Sequence, residues 1–445
     1  MTAQPTRSTE TAPAATSGDS DTQPARNVGR WVQSRVYLNG AMGRRPTVPV
    51  APARLEAAAR RAMSRRGFAY VAGAAGAEST ARANRAALDR VRIVPRRLVD
   101  VSSRSTATTV LGTPMSAPVY LAPIGVLEMA HREADVAAVG AAADTGVPMM
   151  VSTQASRPME EVAAAAPGHP LWFQLYWSSN EDLVTSFVGR AERAGYGAVV
   201  VTLDTQMLGW RPRDLDLGFL PFARGLGMAQ YTSDPVFRDL VRRRAAGGVP
   251  GPTVRPGPGA IGTLLSMARA YPGSTVENLR SPLPRAAVQS FLDVFAQPAL
   301  TWSDLARLRE VTTLPVLLKG VMHPDDALRA RDAGVDGIVV SNHGGRQIDG
   351  ELGALDALPD VVQAVPELPV LVEGGVRGGA DVLKALALGA RAVGLGRPYA
   401  YGLAVAGRAG AREAVRHVLA ELDLTMALTG CPSVADVEPE LVRRR

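Results

Sequence analysis

The chain has 445 residues, and 46% of them are hydrophobic, enough for a large buried core. Its single cysteine, Cys431, excludes an internal disulfide framework and a multi-cysteine metal site, and its five histidines show no HxxxH-type ligand spacing. The net charge of +7 comes from basic residues spread along the chain without interleaved aromatics, which argues against a nucleic-acid surface; no apolar stretch is long enough to span a membrane.

Residues 1–28 open with a run rich in Thr, Ala, Pro and Ser. They lack an apolar secretory core and read as a disordered tail. A cytoplasmic location follows by default. Residues 29–445 read as one domain, beginning with an N-terminal helical extension. Eight apolar runs then recur: VYLAPIG (119–125), PMMVST (148–153), LWFQLY (171–176), GAVVVTLD (197–204), LPVLLKG (314–320), GIVVSNH (337–343), PVLVEGG (369–375) and AVGLGRP (392–398). Such continuous apolar runs suit strands of a parallel sheet covered on both faces. Amphipathic stretches such as SDLARLREV and PDDALRARDAG lie between them. This alternation predicts an α/β fold, a (β/α)8 TIM barrel, with its active site at the C-terminal ends of the strands. Gly125, Ser152, Gln174, Tyr176, Thr202, Asp204, Lys319, His343, Glu373 and Arg397 fall at or just past those ends.

Between the fourth and fifth runs the chain is unusually long and rich in Gly, Pro and Arg, including GGVPGPTVRPGPGAIG. A structureless segment of this size, about 213–298, reads as a lid or binding element. Lys319 ends the fifth run and is one of only two lysines in the chain, the other being Lys384. In a protein that uses Arg nearly everywhere, its compact ammonium at the barrel mouth marks a cofactor contact. The sixth run ends in SNHGGRQ, where Ser341, His343 and Arg346 put an acceptor, an imidazole base and an anion clamp among glycines. After the seventh and eighth runs come two Gly/Arg turns. The first holds Glu373, Gly374, Gly375 and Arg377 before a helix with a free N-terminus; the second holds Gly396 and Arg397. Together they form a phosphate site. There is no GxGxxG after a first strand and no GxxxxGK[ST], so a mononucleotide such as FMN fits better than a dinucleotide.

The motifs AYVAGAAGAE, LAPIG, FQLY, TLDT, GWRPRDL, LKG, SNHGGRQ, GGVRGGADVLKALALGA and GRP together resemble the FMN-dependent L-α-hydroxy acid oxidase family over about Phe68 to Cys431. GWRPRDL, Gly125 and the long insertion make lactate 2-monooxygenase the most similar branch. The resemblance implies His343 as the base, with Asp204 orienting it and raising its pKa. Arg346 and Tyr70 would hold the substrate carboxylate, Tyr176 the substrate hydroxyl, and Arg211 would help close the site. Lys319 would lie by the flavin N1/O2 edge. Ser152, Gln174 and Thr202 would bind the isoalloxazine edge, Pro123, Ile124 and Gly125 would lie near N5, and Ser341 would position the ring. Glu373, Gly374, Gly375, Arg377, Gly396 and Arg397 would serve ribityl and phosphate. Two positions depart from the family: Glu373 stands where Asp is usual, and Gln154 where some members carry a large aromatic. The partners implied are a small 2-hydroxy acid and O2, in a homo-oligomer, tetramer or octamer. The net reaction would be lactate monooxygenation, or, alternatively, an oxidase reaction releasing keto acid and peroxide. A non-catalytic phosphate-ligand barrel would lack the base, the orienting carboxylate and the clamp. An IMP-dehydrogenase-type barrel would need a loop cysteine.

Overall fold

The computed structural model describes residues 27–248, 257 and 259–445. The proposed tail therefore lies outside the described residues except for Asn27 and Val28, and Val28 already begins a helix, Val28–Ala41. Three further helices, Pro52–Ala62, Arg65–Ala72 and Ser79–Arg90, complete the N-terminal extension.

Each of the eight apolar runs contains one strand: β1 (Val119–Leu121), β2 (Met149–Ser152), β3 (Leu171–Tyr176), β4 (Val199–Thr202), β5 (Val316–Lys319), β6 (Gly337–Val340), β7 (Val370–Glu373) and β8 (Ala392–Leu395). They form a closed parallel barrel in sequence order, sealed where Gly394 of β8 pairs with Tyr120 of β1. One inward side chain from each strand fills the interior: Tyr120, Met150, Trp172, Val200, Leu317, Val339, Leu371 and Ala392, all fully buried. A hairpin, Thr108–Val110 and Thr113–Met115, packs Val110 and Met115 into the same cluster. The intervening strand residues pack outward against the helices. Side chains in a strand alternate between its two faces. The inward positions two residues further on are Ser152, Gln174, Thr202, Lys319, Ser341 and Glu373 on six of the strands, and Ala122 and Gly394 on β1 and β8. The barrel thus changes from a packed plug to a polar layer within one strand repeat, and that layer floors the site.

The segment between β4 and β5 is not structureless. It contains helices Pro212–Leu215, Ala229–Ser233, Pro235–Ala246, Gly259–Ala270, Thr275–Arg280 and Leu283–Val294. Its prolines start helices rather than break them: Pro212, Pro221, Pro235 and Pro284 all sit in first-turn positions. Asp234 caps Pro235–Ala246 by accepting from the Val236 and Phe237 amides at 2.9 and 3.3 Å. The segment also has an aromatic core, in which Tyr231 packs 4.8 Å from Phe291 and 5.3 Å from Phe237, and Phe222 lies 5.0 Å from Phe291 (ring centroids). Most of its Gly/Pro run, residues 249–256 and 258, lies outside the described residues.

Candidate active site

A cavity of about 1110 Å³, measured with its open mouth, occupies the C-terminal end of the barrel. Of the residues expected at the site, Tyr70, Pro123, Ile124, Gly125, Tyr176, Arg211, Lys319, His343, Arg346, Glu373, Gly374, Gly375, Arg377, Gly396 and Arg397 line it. Ser152, Gln174, Thr202 and Ser341 are buried in the polar layer beneath. Asp204 lies behind His343.

The loop after β6 presents the chemistry. His343 takes a left-handed conformation (φ 56°), as does Gly344 (φ 65°), which turns the imidazole back over the barrel. His343 Nδ1 is 2.8 Å from Asp204 Oδ1, and its Nε2 is 3.5 Å from the Tyr176 hydroxyl. Asp204 therefore fixes the tautomer, leaving Nε2 facing Tyr176 and the cavity. Burial pushes the imidazole down to about 4; Asp204 pulls it up and Lys319 pushes it further down. The expected upward pull of Asp204 is present, but desolvation outweighs it, so the resting base is neutral. Burial would raise Asp204, yet Lys319 and His343 hold it below the usual carboxylate range.

Lys319 Nζ lies 3.1 Å from Ser341 Oγ, 3.6 Å from Asp204 Oδ2 and 3.5 Å from Glu373 Oε2. Burial would lower its pKa, but the two carboxylates together raise it. Glu373, which the resemblance assigned to the ribityl chain, lines the cavity and is also engaged within the protein. Its Oε1 accepts from the Tyr120 hydroxyl at 3.0 Å, inside the barrel.

Two arginines face the cavity from opposite loops. Arg346 donates through Nη1 to the Tyr70 and Gly73 carbonyls, and its guanidinium lies 5.0 Å from the Tyr70 ring centre. Arg211 donates to Arg346 O at 3.1 Å and to Gln347 Oε1 at 2.7 Å. Burial first, and the nearby Arg346 second, push Arg211 down to about 10. Two guanidiniums this close, both facing the cavity, can together accept a carboxylate.

Sequence reasoning did not single out Gln347, although it ends the SNHGGRQ motif. Its Nε2 donates to the Asp204 and Met207 carbonyls at 2.9 and 2.8 Å, so it ties the base loop to the Arg211 loop. Asn84 was also missed. It exchanges amide hydrogen bonds with Asn342 at 2.8 and 2.9 Å, anchoring the base loop to helix Ser79–Arg90. The insertion adds Phe222 and Phe295 to the cavity wall, and Gln154 faces the same space.

The expected phosphate cradle is half realised. The helix after β7, Gly379–Ala387, does not have a free N-terminus: Gly379 N donates to Glu421 Oε2 at 2.8 Å and Arg377 N to Asp381 Oδ2 at 2.9 Å. The helix that begins at Arg397 has no side-chain cap, and the space beside Gly396 is open. Arg377 and Arg397 flank that end, both lowered chiefly by burial, Arg397 to about 10. Arg397 also donates to the carbonyls of Val71, Gly344 and Gly73. Across the barrel, Gln174 Nε2 and Thr202 Oγ1 are buried without a hydrogen-bond partner among the described residues. Orphaned donors on one side and an uncapped helix start between arginines on the other fit the pyrimidine edge and the phosphate of FMN.

Comparison with known proteins agrees. The profile of the FMN-dependent dehydrogenase family matches residues 59–444. The chain is 38% identical over 423 residues to the FMN-dependent alpha-hydroxy acid dehydrogenase qulF of Penicillium citrinum, covering 95% of this chain and 97% of that protein. It is 41% identical over 387 residues to an L-lactate oxidase of Lysinibacillus sphaericus, covering 87% and 90%. Among solved structures, mandelate oxidase with (S)-4-hydroxymandelic acid superposes with a TM-score of 0.73 at 36% identity, covering 89% of this chain and 98% of that one.

Proposed function

This chain belongs to the FMN-dependent α-hydroxy acid oxidase family and uses FMN, and from that premise we propose that it oxidises a small L-2-hydroxy acid with O2 and retains the keto acid long enough for its decarboxylation, as a lactate 2-monooxygenase does. FMN, when bound, supplies the two-electron acceptor for the substrate α-carbon. The single observation that carries the oxidation is the neutral His343 held at 2.8 Å by Asp204 and facing Tyr176. Arg346 and Arg211 take the substrate carboxylate, which leaves the α-hydroxyl beside His343 Nε2 and Tyr176. His343 accepts the hydroxyl proton at Nε2, and Asp204 stabilises the resulting imidazolium through Nδ1. Tyr176 keeps its proton, since burial raises its pKa well above the ordinary value.

Retention is supported by the insertion, which brings Phe222 and Phe295 to the wall of the cavity. An apolar wall beside the site slows escape of the keto acid and peroxide. The keto acid RCOCOO⁻ and H2O2 then give RCOO⁻, CO2 and H2O. The alternative is an oxidase that releases both products, as the similarity to L-lactate oxidase favours. Product analysis with L-lactate under air distinguishes the two: acetate and CO2 support retention, whereas pyruvate and peroxide in equal amounts support the oxidase.

A further inference from the structure

We propose that Gln347 is a positioning residue for the substrate carboxylate: its carboxamide holds the rim of the cavity from Asp204 to Arg211 in one shape and thereby aims the Arg211 guanidinium. The inference rests on the reading of Arg346 and Arg211 as the carboxylate clamp and goes beyond it.

The rim has little packing of its own. Gln206, Met207, Leu208 and Trp210 are exposed, Met207 by 70% and Trp210 by 73%. Both ends nevertheless carry chemistry, since Asp204 holds His343 and Arg211 lines the cavity. A segment that buries so little apolar surface keeps one shape only through its hydrogen bonds. The Trp210 carbonyl accepts from the Gly76 amide at 2.9 Å. A single side chain makes most of the others. Gln347 Nε2 donates to the Asp204 carbonyl at 2.9 Å and to the Met207 carbonyl at 2.8 Å. Its Oε1 accepts from Arg211 Nη2 at 2.7 Å and from the Gly209 amide at 3.4 Å. The amide thus uses both its donors and both its acceptor positions on one segment. Gly209 permits the close approach: a Cβ there would lie 2.6 Å from the Arg346 carbonyl oxygen and 2.7 Å from Gln347 Cα.

The consequence falls on Arg211. Its Nε donates to Arg346 O at 3.1 Å and its Nη2 to Gln347. These two bonds occupy one edge of the planar guanidinium and fix its plane, while Nη1 has no hydrogen-bond partner among the described residues. No carboxylate lies within ion-pair distance of Arg211 among the described residues. The anchor is therefore a neutral amide, and its neutrality matters. An acid at this position would sit against Arg211 and cancel the charge that a bound carboxylate needs, whereas the amide orients the cation and leaves that charge available.

The test is the binding of pyruvate and of methyl pyruvate to FMN-loaded protein, each titrated through the perturbation of flavin absorbance. Neither ligand has an α-hydrogen to give the flavin, and the ester lacks the carboxylate charge. Wild type should bind pyruvate the more tightly. Gln347→Leu keeps the bulk and removes the four amide bonds. It should weaken pyruvate about tenfold and leave methyl pyruvate within about twofold of wild type. Gln347→Glu should weaken pyruvate further, because the new acid pairs with Arg211. A loss shared equally by both ligands overturns the inference, since Gln347 would then only maintain the cavity; unchanged pyruvate binding in Gln347→Leu overturns it as well. If Gln347→Leu does not fold or retain FMN, the same two criteria apply to Gln347→Glu. Wild-type protein that binds the acid and the ester alike contradicts the clamp reading instead, so the two failures are read in different proteins.

Discussion

The imidazole of His343 is ready to accept a proton before any substrate arrives, because burial keeps it neutral down to about pH 4. A base must be deprotonated to act, so a lowered pKa moves the acid limb of the rate profile downward. The rate of anaerobic flavin reduction per unit substrate should therefore be flat on its acid side from about pH 5 to pH 7; an acid limb centred at the ordinary histidine value, about 6.5, would contradict this. The limb belongs to the Asp204–His343 pair rather than to one residue. A second prediction concerns Gln154. Among the described residues no side-chain hydrogen bond occupies its amide, and it lines the cavity together with Phe222. A Cβ on Gly125 would sit 2.9 Å from Gln154 Cβ, so the glycine gives this side chain its place. Gln154→Leu should raise kcat/KM for substrates with apolar side chains over those with polar ones by about tenfold, one hydrogen bond's worth of discrimination. An unchanged preference across a panel of 2-hydroxy acids would remove Gln154 from the substrate wall.

At the scale of elements, the connection after β8 ties the phosphate end of the site to the outer layer. The helix Arg397–Thr429 is broken at Ala406 and Gly407, and its two arms cross where Gly402 meets Gly410. A Cβ at Gly410 would lie 2.1 Å from the Gly402 carbonyl oxygen. Gly410→Ala should destabilise the fold by about 1–3 kcal/mol through overpacking, read as a lower denaturation midpoint at constant slope, and it should weaken FMN retention because Arg397 lies on the displaced arm. A stable variant with full FMN content would show that the arms can part freely. The insertion is tested at Phe295, which lines the cavity while only partly buried. Phe222 is a poor choice, since truncating a buried phenylalanine costs about 3–5 kcal/mol on its own. Phe295→Ala should leave anaerobic flavin reduction within a few-fold of wild type and shift aerobic products from decarboxylated acid toward keto acid and peroxide. An unchanged product ratio would point to subunit contacts as the role of the insertion instead.

For the whole molecule, the barrel was legible because a parallel strand buried on both faces must be a continuous apolar run, and eight such runs recur. The polar layer was legible for the same reason of periodicity: Ser152, Gln174, Thr202, Lys319, Ser341 and Glu373 stand two residues beyond the interior plug on their strands. The insertion was misread because its Gly, Pro and Arg content resembles a loop, whereas its helices rest on first-turn prolines, the Asp234 cap and aromatic packing that composition does not reveal. The half-occupied phosphate cradle was hidden for a different reason. Glu421 caps Gly379 from 42 residues away, and Asn84 holds Asn342 across 258, separations at which a single sequence carries no pairing signal. The direction of the His343 shift depended on burial, which only the folded chain defines.

The central claim is that His343 acts as the base in oxidation of an L-2-hydroxy acid by bound FMN. Its most direct test is anaerobic mixing of FMN-loaded wild type and His343→Ala with L-lactate and longer L-2-hydroxy acids, following flavin bleaching. Wild type should bleach with at least one of them. The variant should retain its yellow colour and FMN content while bleaching about 10²- to 10⁴-fold more slowly. Bleaching of the variant at the wild-type rate, or a wild-type flavin that no 2-hydroxy acid reduces, would contradict the account.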